Sequence, residues 1–180
     1  GNLIDVAGAN KATITNNTLI NGFTANVGVY NGSQNVSVTA NVITAARGTG
    51  SSPTGTGVLV NPEGATPAAV VISRNSIYAN MGLGIDLDPG NQSQTGNRVT
   101  KNDAQDSDHG PNELLNFPYF TETTLQYGKL VLTGCAPAGA TIELFEADVS
   151  PGGTDAIGAN KFGNAKDYGE GQTYLTSIIE

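Results

Sequence analysis

The sequence predicts an all-β protein, a right-handed parallel β-helix of about four coils followed by a partial antiparallel β module. Three observations lead to this prediction. Only 13% of the residues are charged, and Gly, Asn, Thr and Val are abundant, a composition that disfavours helices and suits strands joined by tight turns. A short motif recurs along the first 104 residues, and two of its copies follow an upstream strand at the same interval of 14 residues.

The recurring motif is an apolar residue, two small or polar residues, and then an asparagine. Its asparagines follow one another in steps of 24, 34 and 27 residues. A second apolar strand precedes each copy, and the intervals from Val58 to Ile72 and from Ile85 to Val99 are both 14 residues. The motif copies are residues 14–17, 38–41, 72–75 and 99–102, and the upstream strands are residues 4–6, 27–29, 58–60 and 85–87.

The repeated positions predict a stacked interior. Because side chains alternate along a strand, Val29, Val36 and Val38 are expected to face inward. One coil alone does not bury them, but coils stacked about 4.8 Å apart place like residues in continuous files. The recurring asparagine falls at a turn, where stacked amides can satisfy backbone groups. We therefore expect a structural ladder of Asn17, Asn41, Asn75 and Asn102.

These repeats resemble the parallel β-helix repeats of pectate-lyase-like proteins and of bacterial surface proteins. The resemblance covers residues 1–104 and implies a fold rather than an activity, because such helices carry lyases, epimerases and hydrolases as well as adhesins without chemistry. Residues 105–124 are then expected to form an acidic connector that closes the solenoid. Residues 125–180 are expected to form an incomplete immunoglobulin-like β-sandwich module.

An acidic stretch follows the fourth upstream strand. Ile85 and Leu87 are predicted to face inward, which leaves Asp86 and Asp88 on the outer face, roughly 6.5–7 Å apart. Ca²⁺ takes about 6–8 oxygen ligands, and the following loop supplies several. A solvated acidic loop without a metal explains the same residues, so both interpretations remain open. The candidate calcium ligands are Asp86, Asp88, Asp103, Asp106, Asp108 and Asn112.

The acidic stretch is also similar to a junction in large bacterial secreted proteins, where a β-helix ends in an Asp-rich run, a Gly-Pro-Asn and an Asn-Phe-Pro. Here those tripeptides are residues 110–112 and 116–118. The resemblance implies a fixed connector and not a catalytic centre. Leu114, Leu115, Phe117 and Phe120 are expected to cap the open end of the solenoid.

The apolar pattern changes near residue 127. Residues 129–133 and 141–146 are predicted to form a hairpin, which resembles the opening of bacterial immunoglobulin-like modules, and a third strand is predicted at 173–179. A complete sandwich needs about seven strands. We therefore expect a fragment of a longer protein, whose last strand pairs with material outside this sequence or lies at an edge or in disorder.

Composition argues against some classes of partner, and two residues that each occur once have expected roles. The net charge of −8 argues against nucleic acid as a partner, and no apolar run reaches the roughly 18 residues of a membrane span. Cys135, the one cysteine, is expected to be a small buried thiol. His109, the one histidine, is expected to be an exposed loop residue without a catalytic partner. Few charges and many small polar residues suit an extracellular or cell-surface location.

The sequence favours a non-catalytic structural or adhesive segment of a large secreted or cell-surface bacterial protein, stabilised by calcium if the acidic loop binds it. Its partners would be other domains of the parent chain or a surface assembly. One alternative is a polysaccharide lyase-like enzyme, with Asp86, Asp88 and either Arg74 or Lys101 as candidate residues. The other is a carbohydrate-binding or ice-binding surface. Its outward hydroxyls would come from Thr13, Thr15, Ser37, Thr39 and Ser73.

Overall fold

The computed structural model describes residues 1–48, 55–90, 99–100, 102–147 and 170–180. Within these residues the chain is all-β, with three parallel sheets followed by two antiparallel pairs. The strands of the parallel part, which we call the stack, are β1 (Ile4–Ala7), β2 (Asn10–Thr15), β3 (Thr18–Ile20), β4 (Ala25–Tyr30), β5 (Gln34–Thr39), β6 (Val42–Thr44), β7 (Thr56–Val60), β8 (Val71–Ser73), β9 (Ser76–Tyr78) and β10 (Ile85–Leu87). The antiparallel strands are β11 (Tyr119–Gln126), β12 (Lys129–Cys135), β13 (Thr141–Ala147) and β14 (Gly171–Ile179).

Each parallel sheet takes one strand from each successive passage of the chain. The strand orders are β1-β4-β7-β10, β2-β5-β8 and β3-β6-β9. Three strands therefore follow one another along the chain, and the next three pair with them in the same order. We call each such set of three consecutive strands a passage. This arrangement is compatible with the coil stacking that the repeats predict, and every pairing between passages is parallel.

The register of these sheets confirms the predicted files of like residues. Val38 pairs with Ile14 on one side and with Ile72 on the other. In the third sheet Ile43 lies between Leu19 and Ile77 in the same way. The upstream strands also stack as predicted: their paired residues are Ile4, Val27, Val58 and Ile85 in one file, and Val6, Val29, Val60 and Leu87 in the next.

The core is formed by these inward files. Val27, Val38, Ile43 and Val58 are all 0% exposed, since each has a neighbour in the passage above and in the passage below. Ile85 continues the file of Val58, yet it is 45% exposed because β10 is the last strand of its sheet. Burial of β-branched side chains in complete files supplies the hydrophobic stabilisation of the stack.

The fourth repeat departs from the prediction. Val99 and Thr100 are not in a strand, and Lys101 lies outside the described residues. Asn102 instead pairs with the backbone of Phe117, donating from Nδ2 to its carbonyl at 2.7 Å and accepting from its N–H at 3.0 Å. The chain therefore enters the connector at Asn102 and does not form another strand of the stack there. Among the described residues, only the β1-β4-β7-β10 sheet has a fourth strand.

The predicted hairpin of residues 129–133 and 141–146 is wrong in its pairing. Both strands exist, but β12 pairs with β11, and β13 pairs with β14. Tyr127 and Gly128, with φ of 50° and 75°, form the two-residue turn between β11 and β12. Positive φ at both central residues is the geometry of tight hairpin turns. β11 thus crosses the boundary predicted between residues 124 and 125.

The last strand lies at an edge, one of the alternatives that the sequence left open, because β13 and β14 form a sheet of two strands. We call this pair the C-terminal ribbon. Of the four side chains expected to cap the solenoid, Leu114 is 4% exposed and lies in a 3₁₀ turn, Pro111–Leu114. The other three, Leu115, Phe117 and Phe120, are 54%, 37% and 59% exposed.

Candidate functional site

The best-defined polar feature of the stack is a ladder of Asn17, Asn41 and Asn75, which we call the first ladder. Nδ2 of Asn17 donates to Oδ1 of Asn41 at 3.0 Å, and Nδ2 of Asn41 donates to Oδ1 of Asn75 at 2.9 Å. The backbone N–H groups of Asn17 and Asn41 donate to the same two oxygens, each at 3.0 Å. These bonds satisfy groups that burial would otherwise leave unpaired.

Asn102 does not continue the first ladder, which is a correction to the sequence prediction. Its side chain is occupied by the backbone of Phe117. The motif copy that contains Asn102 enters the connector before it can stack beneath Asn75. The repeat signal identified an asparagine of the right spacing, but the position of the residue is set by the connector that follows it.

A second ladder was not predicted. Nδ2 of Asn26 donates to Oδ1 of Asn80 at 3.1 Å, and Nδ2 of Asn80 donates to Oε1 of Glu170 at 2.8 Å. All three side chains are buried, at 0%, 0% and 5% exposure. The members are separated by 54 and 90 residues, so no short repeat in the sequence could reveal them. We call Asn26, Asn80 and Glu170 the second ladder.

Two more side chains from the later part of the chain bond to the last passage of the stack. Glu143 accepts from Oγ of Ser73 at 2.6 Å and from the backbone N–H of Arg74 at 2.9 Å. Asn112 accepts from the N–H of Val70 at 2.9 Å and donates to its carbonyl at 2.7 Å. The side chain of Asn112, a candidate calcium ligand, therefore bonds Val70 as the backbone of a neighbouring strand would, just before β8.

The two aspartates predicted on an outer face are both buried. Asp86 is 2% exposed and is in register with Leu59, itself 4% exposed, so this part of the outer face is covered. Asp88 is 7% exposed. Its carboxylate accepts from Nδ2 of Asn61 at 3.0 Å and from the N–H of Gly90 at 2.8 Å. Neither residue belongs to an open acidic face.

The remaining candidate ligands lie in a hydrogen-bonded turn. Asn116 donates from its N–H to Asp106 at 2.8 Å, and its amide bonds the backbone of Asp103 at 2.9 and 3.0 Å. The Ser107 hydroxyl and N–H donate to the Asp103 carboxylate. The hydroxyl bond, above all, lowers the pKa of Asp103 from its ordinary value. These bonds hold the connector turn in one conformation.

Within the described ranges, no group of three or more His, Cys, Asp or Glu side chains is placed so that it could hold a metal ion. The six predicted ligands fall into separate places: Asp86 in β10 and Asp88 just after it, Asn112 beside Val70, and the others in the connector turn. Calcium binding by this stretch stays a prediction, to be tested by the response of stability to the ion.

Arg74, one of the two basic residues proposed for the enzyme alternative, is engaged in contacts with the C-terminal ribbon. The Arg74 guanidinium lies over the ring of Tyr174, 5.3 Å from its centroid, a cation–π contact between the stack and the C-terminal ribbon. Lys101 lies outside the described residues. Because Glu143 also bonds the Arg74 N–H, this residue holds an interface together, and its role as a catalytic base has no geometric support.

The outward hydroxyls are aligned as the sequence predicts. Thr15, Thr39 and Ser73 form one file, and Thr13 pairs with Ser37 in the next. The second file ends in Val71 and not in a hydroxyl, and the Ser73 hydroxyl is already bonded to Glu143. The array is thus limited to a small patch on β2 and β5.

The single cysteine and the single histidine are both exposed. The Cys135 thiol was expected to be buried, and its exposure contradicts that expectation. Cys135 lies opposite Tyr119 on the β11–β12 pair, and a hydrogen bond between their side chains raises the pKa of Tyr119. His109 lies 3.4 Å from Glu113 in an exposed pair, as expected of a surface residue.

An apolar cavity of about 740 Å³ lies where the last passage of the stack meets the connector and the C-terminal ribbon. Ile72 and Ile85 line it on the side of the stack, and Ile142 and Phe145 line it from β13. Leu114, Leu115 and Phe117, three of the predicted capping residues, also contribute. These three residues thus lie at the end of the stack that they were expected to close, whereas Phe120 is not among the residues that line the cavity.

No protein-family model matches this chain, and no solved structure matches it. Among the described residues, no helix has the length and apolarity needed to cross a bilayer. The features with defined geometry are therefore the parallel stack, its two ladders, and the contacts that join its last passage to the C-terminal ribbon.

Proposed function

We propose that this chain is a non-catalytic structural segment of a large secreted or cell-surface bacterial protein, built as a right-handed parallel β-helix with part of an immunoglobulin-like module after it. One observation carries the proposal: Ile14, Val38 and Ile72 are in register across three successive passages, beside the first ladder. An array in which each passage repeats the contacts of the one before is suited to a stalk or an extended adhesive surface.

The polar residues support the structural role. Asn41 and Asn75 are 1% and 3% exposed, and their amides bond one another and the backbone. The Asn41 amide, which is buried and bonded through both its oxygen and its nitrogen, has no group left to act on a substrate. Asp88, the acidic candidate whose partners are defined, is likewise bonded to Asn61 and Gly90.

The enzyme alternative requires an acid and a base on one accessible face. Asp86 is buried, and the Arg74 side chain is engaged with Tyr174. Carbohydrate binding is the second candidate, and the files of Thr13 with Ser37 and of Thr15 with Thr39 favour it, because they offer exposed or partly exposed hydroxyls at the spacing of stacked strands. The adhesive version of the structural role would use this patch.

The experiment that tests the proposal pulls on the full chain, tethered at its two ends, in a single-molecule force measurement. We expect the stack to resist extension and then to lengthen in a defined step. The Asn41→Ala variant is expected to rupture at lower force, whereas Gln34→Ala, at an exposed position of β5, is expected to match the wild type. Extension without a force barrier would contradict a load-bearing role.

A second assay tests the alternative that the chain is an enzyme. The full chain is incubated with pectate and with alginate, with and without Ca²⁺, and the length distribution of the polysaccharide is measured. We expect no change. Shortening of either polymer that is lost in both Asp86→Asn and Arg74→Ala variants would contradict the non-catalytic proposal and favour a lyase.

A further inference from the structure

We propose that the first ladder ends in a ligand site, which binds an uncharged molecule with an apolar body and a carbonyl oxygen, such as a fatty amide. Two hydrogen-bond donors of Asn75 hold the oxygen, and the apolar cavity described above holds the body. This site goes beyond the structural role proposed above, because a stalk or an adhesive surface needs no small ligand.

Asn75 is the last member of the first ladder. The backbone N–H and Nδ2 of Asn17 both donate to Oδ1 of Asn41, and the same two groups of Asn41 both donate to Oδ1 of Asn75. Nδ2 of Asn75 donates to the carbonyl of Val38 at 2.7 Å. Within the described residues, no acceptor is bonded to the Asn75 N–H or to the second hydrogen of its Nδ2. Asn75 is 3% exposed, and buried donors without an acceptor are costly.

The second ladder shows which group such a pair of donors takes. The N–H and Nδ2 of Asn80 donate to the two carboxylate oxygens of Glu170, at 3.1 and 2.8 Å. In the first ladder the acceptor is the amide carbonyl oxygen of the next asparagine. Both acceptors are oxygens of a carbonyl or carboxylate group, so the donor pair of Asn75 is suited to an oxygen of the same kind.

The donors of Asn75 point towards a small cavity. The earlier members of the ladder donate to the following passage, so the same groups of Asn75 point out of the last passage. A cavity of about 160 Å³ lies there, between Asn75 and two residues of the C-terminal ribbon, Phe145 and Gly171. Its wall is shared in part with the larger apolar cavity, through Ile72, Ile85, Glu143 and Phe145. A molecule in the larger cavity therefore reaches Asn75 with its polar end.

The larger cavity is suited to an apolar body. Its volume of about 740 Å³ lies in the range of small-molecule sites. Apolar side chains from the stack, the connector and the ribbon line it, among them Leu83, Leu87, Leu114, Phe117 and Ile142. Transfer of an alkyl chain from water to these side chains is favourable in proportion to the apolar area that is buried.

Glu143 makes the site unfavourable for a carboxylate. Glu143 lines both cavities, and it accepts from the N–H of Arg74, the residue before Asn75. A ligand carboxylate on the Asn75 N–H would stand beside the Glu143 carboxylate and be repelled by it. The Arg74 guanidinium also lines the small cavity, but it lies over the ring of Tyr174. The oxygen that fits is therefore that of a neutral carbonyl group.

The test titrates the full chain with octanamide and follows its amide and methyl signals by NMR. We expect saturable shifts at the backbone and side-chain amides of Asn75 and at the methyl groups of Ile72 and Ile85. Before addition, the Asn75 amide is expected to exchange with solvent faster than the Asn41 amide, and octanamide is expected to slow it. Octanoate adds a charge and octylammonium offers only donors, so both are expected to bind at least about tenfold more weakly.

Two matched variants connect binding with the cavities. Ile85→Trp enlarges a side chain that lines both cavities and is 45% exposed, and it is expected to weaken octanamide binding about tenfold or more. Ile20→Trp makes the same change at a side chain that is 46% exposed and lines neither cavity, and it is expected to leave binding unchanged. Absence of saturable shifts at Asn75 would overturn the proposal. So would equal affinity for octanoate or octylammonium, or equal effects of the two variants.

Discussion

Nδ2 of Asn41 donates to Oδ1 of Asn75 at 2.9 Å although the two residues are 34 positions apart in the sequence. The bond exists because Thr39 and Ser73, in the strands just before them, are in register. A side-chain amide that spans two passages of the chain couples the turn of one to the turn of the next. The first ladder is therefore the polar counterpart of the apolar file of Ile14, Val38 and Ile72.

Removing the central amide of this ladder is expected to destabilise the stack strongly. Asn41→Ala deletes donors to Ile14, Thr39 and Asn75 and leaves the buried Asn75 oxygen and the Asn17 amide without their partner. We expect a loss of about 2–4 kcal/mol in the free energy of unfolding, measured by urea denaturation. Gln34→Ala, at an exposed position of β5, is the control, and we expect it to change that free energy by less than about 0.5 kcal/mol. Equal effects of the two variants would argue against the ladder.

The second prediction concerns the apolar file and compares a buried valine with an exposed one. Val38→Ala removes two methyl groups from a side chain that is 0% exposed and has file neighbours on both sides. We expect it to cost about 1.5–3 kcal/mol of unfolding free energy. Val71→Ala makes the same chemical change at a side chain that is 54% exposed, and is expected to cost much less. Similar losses at both positions would contradict the assignment of Val38 to the interior.

The connector turn predicts a pH-dependent contribution of Asp103. The Ser107 hydroxyl holds the pKa of Asp103 below 3.8, so the folded state favours the ionised carboxylate. Its stabilising contribution is therefore present above pH 3.8 and is lost as the pH falls through the folded pKa. Ser107→Ala is expected to raise the Asp103 pKa towards 3.8, followed by NMR titration of its carboxyl carbon. Ser37→Ala, on β5, serves as the control, and an Asp103 pKa that is the same in both variants would contradict this account.

The sequence raised the possibility that the acidic stretch binds calcium, and thermal unfolding tests it. If the acidic stretch binds the ion in the native state, excess Ca²⁺ stabilises by about 2.7 kcal/mol at a concentration 100 times Kd, and raises the melting temperature relative to chelator. Asp108→Asn, in the connector, is expected to reduce that rise. Asp5→Asn, outside the acidic stretch, is expected to leave it unchanged. Identical melting temperatures in chelator and in calcium would remove the metal from the account.

The parallel part of the fold was predictable because its determinants are local and repeated. Val38 and Ile72 each sit three residues before an asparagine, so a short window carries the register of the strands. Side-chain alternation then assigns the interior without knowledge of the rest of the chain. The same reasoning failed at Asn102, because the contact with Phe117 is made by the connector and leaves no periodic trace.

The second ladder was not predictable for the same physical reason, because its contacts join distant stretches of the chain and leave no periodic trace. Asn26, Asn80 and Glu170 come from three unrelated stretches, and Glu170 meets Asn80 across 90 residues. The β11–β12 pairing could have been found from Tyr127-Gly128, a two-residue turn between alternating strands. Burial of Asp86 depends on what covers the outer face of the sheet, and a pattern of alternating residues contains no information about that cover.

The most direct test of the stacked architecture is the set of methyl–methyl nuclear Overhauser contacts among Ile14, Val38 and Ile72 in the full chain. Because Val38 is paired with both isoleucines in neighbouring strands, we predict strong contacts from Val38 to each of them and weak or no direct contact between Ile14 and Ile72, which lie about 9.6 Å apart at the usual strand spacing. Absence of either Val38 contact would contradict the parallel stack, and with it the ladders.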